Sequence, residues 1–168
     1  VSGLLIRLGT LEDTEAINAL LQASYPVLLS NSYEPAILDL ALPFVTKANP
    51  VLLRSGTYYL CSLPDGLLAG CGGWSLERPG TNVSEPGLAH IRHFATHADR
   101  CGRGIGRAIY DRCEREAKAL GISEFECHAS RNAEGFYRAL GFRTVEPMQI
   151  PFSPGVLFPA LLMKKTLL

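Results

Sequence analysis

The 168 residues hold 16 Lys and Arg against 16 Asp and Glu, so no global basic field marks the chain for nucleic acid. Hydrophobic residues at 47% with charged residues at 19% suit one folded domain over residues 1–168 around a single core, and exclude a disordered or fibrous chain. No apolar run reads as long enough to span a bilayer and no signal-peptide pattern opens the chain, so no membrane association is expected; Val1 points to a processed or trimmed start.

Residues 4–8 form a short apolar strand. Thr10 then caps a helix whose first turns carry Glu12, Asp13 and Glu15 and whose apolar stripe is Ala16, Ile17, Leu20 and Leu21. A second helix begins at Pro35 and buries Ile37, Leu38, Ala41 and Leu42, with Pro43 and Pro50 breaking up the segment beyond it. Residues 57–62 and 67–75 pair as a hairpin about the Pro64-Asp65-Gly66 turn. After an exposed loop over 77–87, a strand over 88–96 leads into a glycine-rich turn. Residues 104–120 come next as a helix with the stripe Ile105, Ile109, Cys113, Ala117 and Leu120, stopped by Gly121. A strand (125–129), a short helix (132–140), a strand (142–150), a turn over 151–155 and a last strand (157–164) complete the order. The fold class is α/β (α+β): a mixed sheet with helices on its faces. Five cysteines (Cys61, Cys71, Cys101, Cys113, Cys127) without a C-x-x-C pair predict free thiols in a reducing compartment, the cytoplasm by default.

The glycine-rich turn, Cys101-Gly102-Arg103-Gly104-Ile105-Gly106-Arg107, is the chain's clearest chemical feature. Glycine permits sharp turns and leaves no Cβ in a ligand's way, so successive N–H groups converge on one point. The helix after the turn adds its own unpaired N–H groups and positive dipole end, and arginines add fixed charge. This is an anion cradle. It lacks the Lys-Ser/Thr of a mononucleotide P-loop, and its glycine spacing fails the G-x-G-x-x-G dinucleotide pattern.

The turn, together with Asn132, Phe136-Tyr137 and Gly141-Phe142 about 30 residues on, resembles the GNAT superfamily of acetyl-CoA-dependent N-acetyltransferases. That family's pyrophosphate motif is Arg/Gln-x-x-Gly-x-Gly/Ala. Cys101 stands where Arg or Gln is usual, which leaves main-chain N–H groups and Arg100, Arg103 or Arg107 to hold the phosphates. The resemblance implies a central mixed, mostly antiparallel sheet with a splayed strand pair. It also implies an N-acetyltransferase that carries the acetyl group of acetyl-CoA to a primary amine by direct attack, without a metal. The break in alternation between Ile91 and Phe94 predicts a β-bulge. By resemblance, Phe94, Ala95 and Thr96 hold the pantetheine arm, Cys101 to Arg107 (Cys101, Gly102, Arg103, Gly104, Ile105, Gly106, Arg107) hold the pyrophosphate, and Asn132 bonds the pantetheine amides. Tyr137 takes the position of the acid that protonates the departing thiolate.

The general base is left open among Glu77, His90 and His93, and Trp74, Tyr25 and Tyr33 are candidates to line the acceptor pocket. Residues His90, His93 and His97 lack the Cys or carboxylate that would complete a zinc site. The acceptor is a small-molecule or peptide amine, and a homodimer is compatible with the sequence. A non-catalytic coenzyme A sensor domain and a nucleotide-binding module are the alternatives.

Overall fold

In the computed structural model, which describes residues 3–167, the strands β1 (Leu5–Leu8), β2 (Tyr58–Ser62), β3 (Leu68–Ser75), β4 (Leu88–Thr96), β5 (Glu124–Ala129), β6 (Arg143–Ser153) and β7 (Val156–Thr166) make one sheet in the order β1-β2-β3-β4-β5-β7-β6. Only β4 and β5 run parallel. One face carries α1 (Thr14–Leu28), whose buried side is Ile17, Leu20, Leu21 and Ser24. Ala16, expected in that stripe, faces solvent. The other face carries α4 (Ile105–Ala119), buried through Ile105, Ile109, Tyr110, Cys113 and Ala117, and the short α5 (Glu134–Ala139). Leu120, expected at the end of the α4 stripe, is 69% exposed because the helix stops one residue earlier and turns through Gly121 at φ 81°.

Thr10 caps a 3-10 turn, Leu11–Asp13, rather than α1 itself. Asp13 reaches back to the Thr10 N–H at 2.8 Å and holds Arg7 of β1 through both carboxylate oxygens. Those bonds to Arg7 pull the Asp13 carboxyl down to about 2.

Pro43 does not end the second helix: α2 runs from Pro35 to Val45. Proline there removes one bond, to the carbonyl of Asp39, and Asp39 lies on the exposed side of the helix, where water can replace the lost donor. Pro50 begins α3 (Pro50–Arg54), capped by Asn49, whose side chain accepts from the Val51 N–H at 3.0 Å. Taken as one helix, Pro35–Arg54 is long and apolar enough to cross a bilayer, contrary to the expectation from sequence. The structure divides it into helices of 11 and 5 residues, and 11 residues rise only about 16 Å against a hydrocarbon core of about 30 Å. At the far end, the turn expected over 151–155 contracts to Pro154-Gly155, and β6 runs on to Ser153.

The feature that shapes the site is a bulge in β4. Cys71 pairs with Ala95 and Gly73 with Arg92, so both His93 and Phe94 oppose Gly72. His93 takes a left-handed φ of 51° to make this possible. A Cβ on Gly72 would lie 2.5 Å from the Phe94 ring, and one on Gly73 would lie 2.3 Å from the Thr57 carbonyl oxygen. The glycines of β3 are therefore spaces that Phe94 and the β2 backbone occupy. On its other side β4 pairs with β5 only from Leu88–Glu124 to Ile91–Cys127, and the strands part beyond that.

Gly73→Ala should destabilise the fold by about 1–3 kcal/mol, because its neighbours are backbone and cannot rotate away. Gly135 in α5 has nothing within 4 Å of its virtual Cβ. Gly135→Ala should be neutral or stabilising by up to about 1 kcal/mol. Thermal unfolding of the two variants checks the contrast; equal melting temperatures would contradict it.

Candidate active site

The anion cradle is built as its glycines require. Gly102 and Gly104 both adopt left-handed backbone, φ 76° and 77°, and Gly104 is the residue from which α4 starts. Among the described residues no protein acceptor takes the N–H groups of Gly102, Arg103 or Gly104, and the first turn of α4 adds its unpaired amides. Arg100 lines the same cleft, with a buried Nε that has no hydrogen-bond partner. Gly106 must lack a side chain for another reason: a Cβ would sit 3.0 Å from the Phe136 ring. Arg107 donates to the Ala139 carbonyl at 3.2 Å and so ties α4 to α5. Arg100, Gly102, Gly104 and Arg107 line one cavity of 490 Å³.

The parted edge of β4 lines that cavity too, through Phe94, Ala95 and Thr96. Two carbonyls of this segment are held from α1: the Tyr25 hydroxyl donates to Phe94 at 2.8 Å and the Ser24 hydroxyl to Thr96 at 2.6 Å. Asn132, in the turn before α5, accepts from the Ser130 hydroxyl at 2.7 Å, and both residues line the cleft. Cys101 and Ile105 also line it, whereas Arg103 is exposed and does not.

Tyr137 is buried on α5. Its ring packs edge-on against Phe94 and beside Phe136 and Phe142. Burial raises its phenol well above the ordinary tyrosine value, with the Cys127 thiol alongside adding to the shift, so the hydroxyl keeps its proton. Burial also pushes Cys127 up to about 12.

A second cavity, of 240 Å³, lies on the α1–α2 side of the gap between β4 and β5. Tyr25, Phe94, Ser130, Ala133 and Tyr137 line both cavities. The two therefore meet at Tyr137, through the gap.

The candidate bases separate here. Glu77 is exposed and bridges Ser84, and His90 is buried beside β5; neither lines either cavity. His93 lines the second cavity, but its Nε2 sits 3.1 Å from the Val45 carbonyl, which can only accept. That bond fixes Nε2 as the donor and commits the ring to holding α2.

Sequence reasoning misses His128, which lines the second cavity with Nε2 3.6 Å from a Glu126 oxygen. Burial lowers its pKa, so the ring is neutral at neutral pH and free to accept a proton. Glu126 is itself buried, 3.6 Å from Lys164 of β7. Alternation along β5 put the sequence signal for His128 within reach, since Phe125, Cys127 and Ala129 face α4 in the core and His128 must face the other way.

Two residues expected in the acceptor pocket belong elsewhere. Trp74 packs in the core on the α4 side, its indole N–H 3.4 Å from Glu116. Tyr33 stacks on Phe158, donates to the Pro159 carbonyl at 2.7 Å and accepts from the Arg131 N–H, and it lines neither cavity. Tyr25 does line both. Among the described residues no group of three or more His, Cys, Asp or Glu side chains is placed to hold a metal ion.

Residues 53–156 match the acetyltransferase (GNAT) domain model. The chain belongs to the GNAT acetyltransferase family. Its backbone superposes over nearly its whole length on those of solved family members. A GCN5-related N-acetyltransferase from Rhodopseudomonas palustris gives a TM-score of 0.79 at 22% identity, with 98% of this chain and 96% of that one covered. The PaiA N-acetyltransferase of Thermoplasma acidophilum, solved in complex with coenzyme A, gives 0.72 at 18% identity, with 97% and 98% covered. In sequence, 41 residues are 49% identical to a Bacillus subtilis (strain 168) protein that bears an acetyltransferase name; the match spans 24% of this chain and 28% of that protein.

Of the five free cysteines in this GNAT protein, Cys101 in the cradle is exposed and the other four are buried. One thiol per chain should therefore react with Ellman's reagent in the native state and five in denaturant, and a Cys101→Ser variant should show none before unfolding. A second native thiol reacting at a similar rate would contradict the packing of the core.

Proposed function

We propose that this protein transfers the acetyl group of acetyl-CoA to a primary amine, by direct attack while both substrates are bound. The observation that carries this reading is the junction: a cleft lined with anion donors and a separate cavity share Tyr137 across the gap between β4 and β5. The residues fit coenzyme A. The left-handed glycines, their free amides and the unpartnered Arg100 Nε suit a pyrophosphate, and the open β4 edge suits the amide-bearing arm. Cys101 adds no charge where the family usually has Arg or Gln, so the load falls on main-chain N–H groups and Arg100.

Acetyl-CoA supplies an activated thioester when bound. The rest is the work of the chain. A lysine-like amine has a pKa of about 10.4 and arrives protonated. His128, neutral through burial and backed by Glu126, takes that proton. Main-chain donors on the β4 edge at Phe94–Thr96 stabilise charge on the carbonyl oxygen as the amine attacks. Tyr137, protonated at every working pH, donates to the departing sulfur and recovers a proton from the one that the attacked nitrogen sheds as the amide forms. Cys127 is close to Tyr137, but a thiol held near 12 is a poor nucleophile, which favours direct attack over an acyl-cysteine route. Five free thiols fit a reducing compartment such as the cytoplasm.

Gly104→Asp should abolish coenzyme A binding, measured by titration calorimetry, since it sets a carboxylate in the cradle and forces a side chain into left-handed backbone. Unchanged affinity would remove the cradle from this role. A non-catalytic coenzyme A sensor would instead bind the cofactor normally and release no free thiol with any amine.

Tyr137→Phe should lower kcat by about 10- to 100-fold with coenzyme A affinity nearly unchanged. His128→Gln should lower kcat similarly. For the wild type, activity should fall toward acid as His128 gains a proton, with the midpoint below the ordinary histidine value of about 6.5 because burial favours the neutral ring. His128→Gln should lose that acid limb; retention of it would assign the limb to another group.

A further inference from the structure

The second cavity holds one fixed cation, Arg92, and its surroundings say what it is for. Arg92 follows Ile91, the last β4 residue paired with β5, so it stands where the two strands begin to part. The residue after Cys127 on the opposite strand is His128, and both side chains line the cavity. The Arg92 guanidinium donates to the Ser75 hydroxyl at 2.9 Å, and among the described residues no carboxylate lies within 4.0 Å of it. Glu77 is near enough to be felt but is exposed on the outer side. A guanidinium has five N–H donors, so most of its fork is unspent. Partial burial already tells against its charge, which leaves a cation that gains from a ligand's anion more than a solvated one would.

The remaining walls are apolar. Leu29, Val45, Ile150, Phe152 and Phe158 close the cavity from α1, α2 and the β6–β7 hairpin. Among the described residues no Asp or Glu lines it, so no carboxylate there would hold a second ammonium group. A volume of 240 Å³ is about that of eight liquid waters, below the usual range for drug-sized ligands. Phe94, on the open edge, is two residues beyond Arg92, across the bulge at His93.

Resting on the acetyl-transfer reading above, we propose that the acceptor is a small amine that also bears a carboxylate and an apolar side chain, with α-amino acids of the leucine, methionine or phenylalanine type as the simplest members. The carboxylate takes the Arg92 fork, the side chain lies against Phe152 and Phe158, and the amine is left at His128 and the open edge of β4. A single planar charge matches a single guanidinium. A phosphate would bring up to two charges to a cavity lined by a single guanidinium; Arg78, beside the lining residue Pro79, is exposed and pairs with Glu85, and Lys164 is engaged by Glu124 and Glu126.

The test uses the products as probes. N-acetyl-leucine, N-acetyl-methionine and N-acetyl-phenylalanine, and the primary amide of each, are titrated into the coenzyme A-loaded protein. At least one acid should bind about tenfold or more tightly than its amide, and Arg92→Gln should bring the two within about threefold while coenzyme A affinity is unchanged. Arg92→Lys, which keeps the charge and loses the fork, should retain part of the preference and guards against a folding defect in the first variant. Equal affinity of acids and amides for the wild type, absence of binding by all three acids, or an acid preference that survives Arg92→Gln would each overturn the proposal. Coenzyme A affinity, titrated first and alone, reads the acetyl-transfer proposal separately.

Discussion

A strand inside a sheet keeps its hydrogen bonds to both neighbours only while it stays in register with both. β4 gives up each register in turn. On the β3 side two residues, His93 and Phe94, share the place opposite Gly72, and on the β5 side pairing ends at Ile91. The result is an edge of main chain in the middle of a sheet, a place where backbone donors are both free and rigid. Both cavities open onto this edge, and the anion cradle follows it directly in the chain because β4 runs straight into the loop.

Such an edge is costly unless the surrounding structure holds it. His93 sits in left-handed backbone, which for a non-glycine residue costs of order 1–3 kcal/mol. The carbonyls of His93, Phe94 and Thr96 accept from the hydroxyls of Tyr58, Tyr25 and Ser24, and the His93 ring donates to Val45. Each bond contributes about 1 kcal/mol net, so four of them are of the size needed to offset the strained residue. They also pin the segment from β2, α1 and α2 at once. Tyr25 and Tyr58 are thus aromatic residues with a backbone job, and Gly72 is the vacancy into which Phe94 folds.

The cleft was legible in the sequence because it is local. Residues 94–107 carry the edge, the cradle and the start of α4 in one stretch, and 132–142 carry Asn132, Tyr137 and the glycine that ends α5; the glycines advertise backbone that must bend or be approached closely. The bulge itself shows as a break in alternation between Ile91 and Phe94. The second cavity was not legible, because it is assembled from β4, β5, α1, α2 and the β6–β7 hairpin. Whether His128 or His90 faces a cavity depends on where pairing between β4 and β5 stops. Trp74 and Tyr33 look like pocket aromatics in sequence, yet one faces α4 and the other braces β7. Pro43 reads as a helix breaker, yet the one carbonyl it leaves without a helical partner belongs to Asp39, which is exposed to water.

The two cavities also differ in what reads the ligand. In the cleft the recognising groups are mostly main-chain N–H, insensitive to side-chain identity provided that glycine remains where φ is positive. In the second cavity they are side chains: one guanidinium, one imidazole backed by a carboxylate, and a wall of aromatic and aliphatic groups. Only five residues line both, and of these Tyr25 and Phe94 are fixed by the bond that holds the bulge while Tyr137 stands at the junction. Changes at Arg92, Leu29, Ile150 or Phe152 therefore leave the cleft intact. A fold arranged this way lets the second cavity vary while the cleft stays the same, because the constraint that creates both lies in the backbone of β4 and the side chains that line the second cavity alone do not.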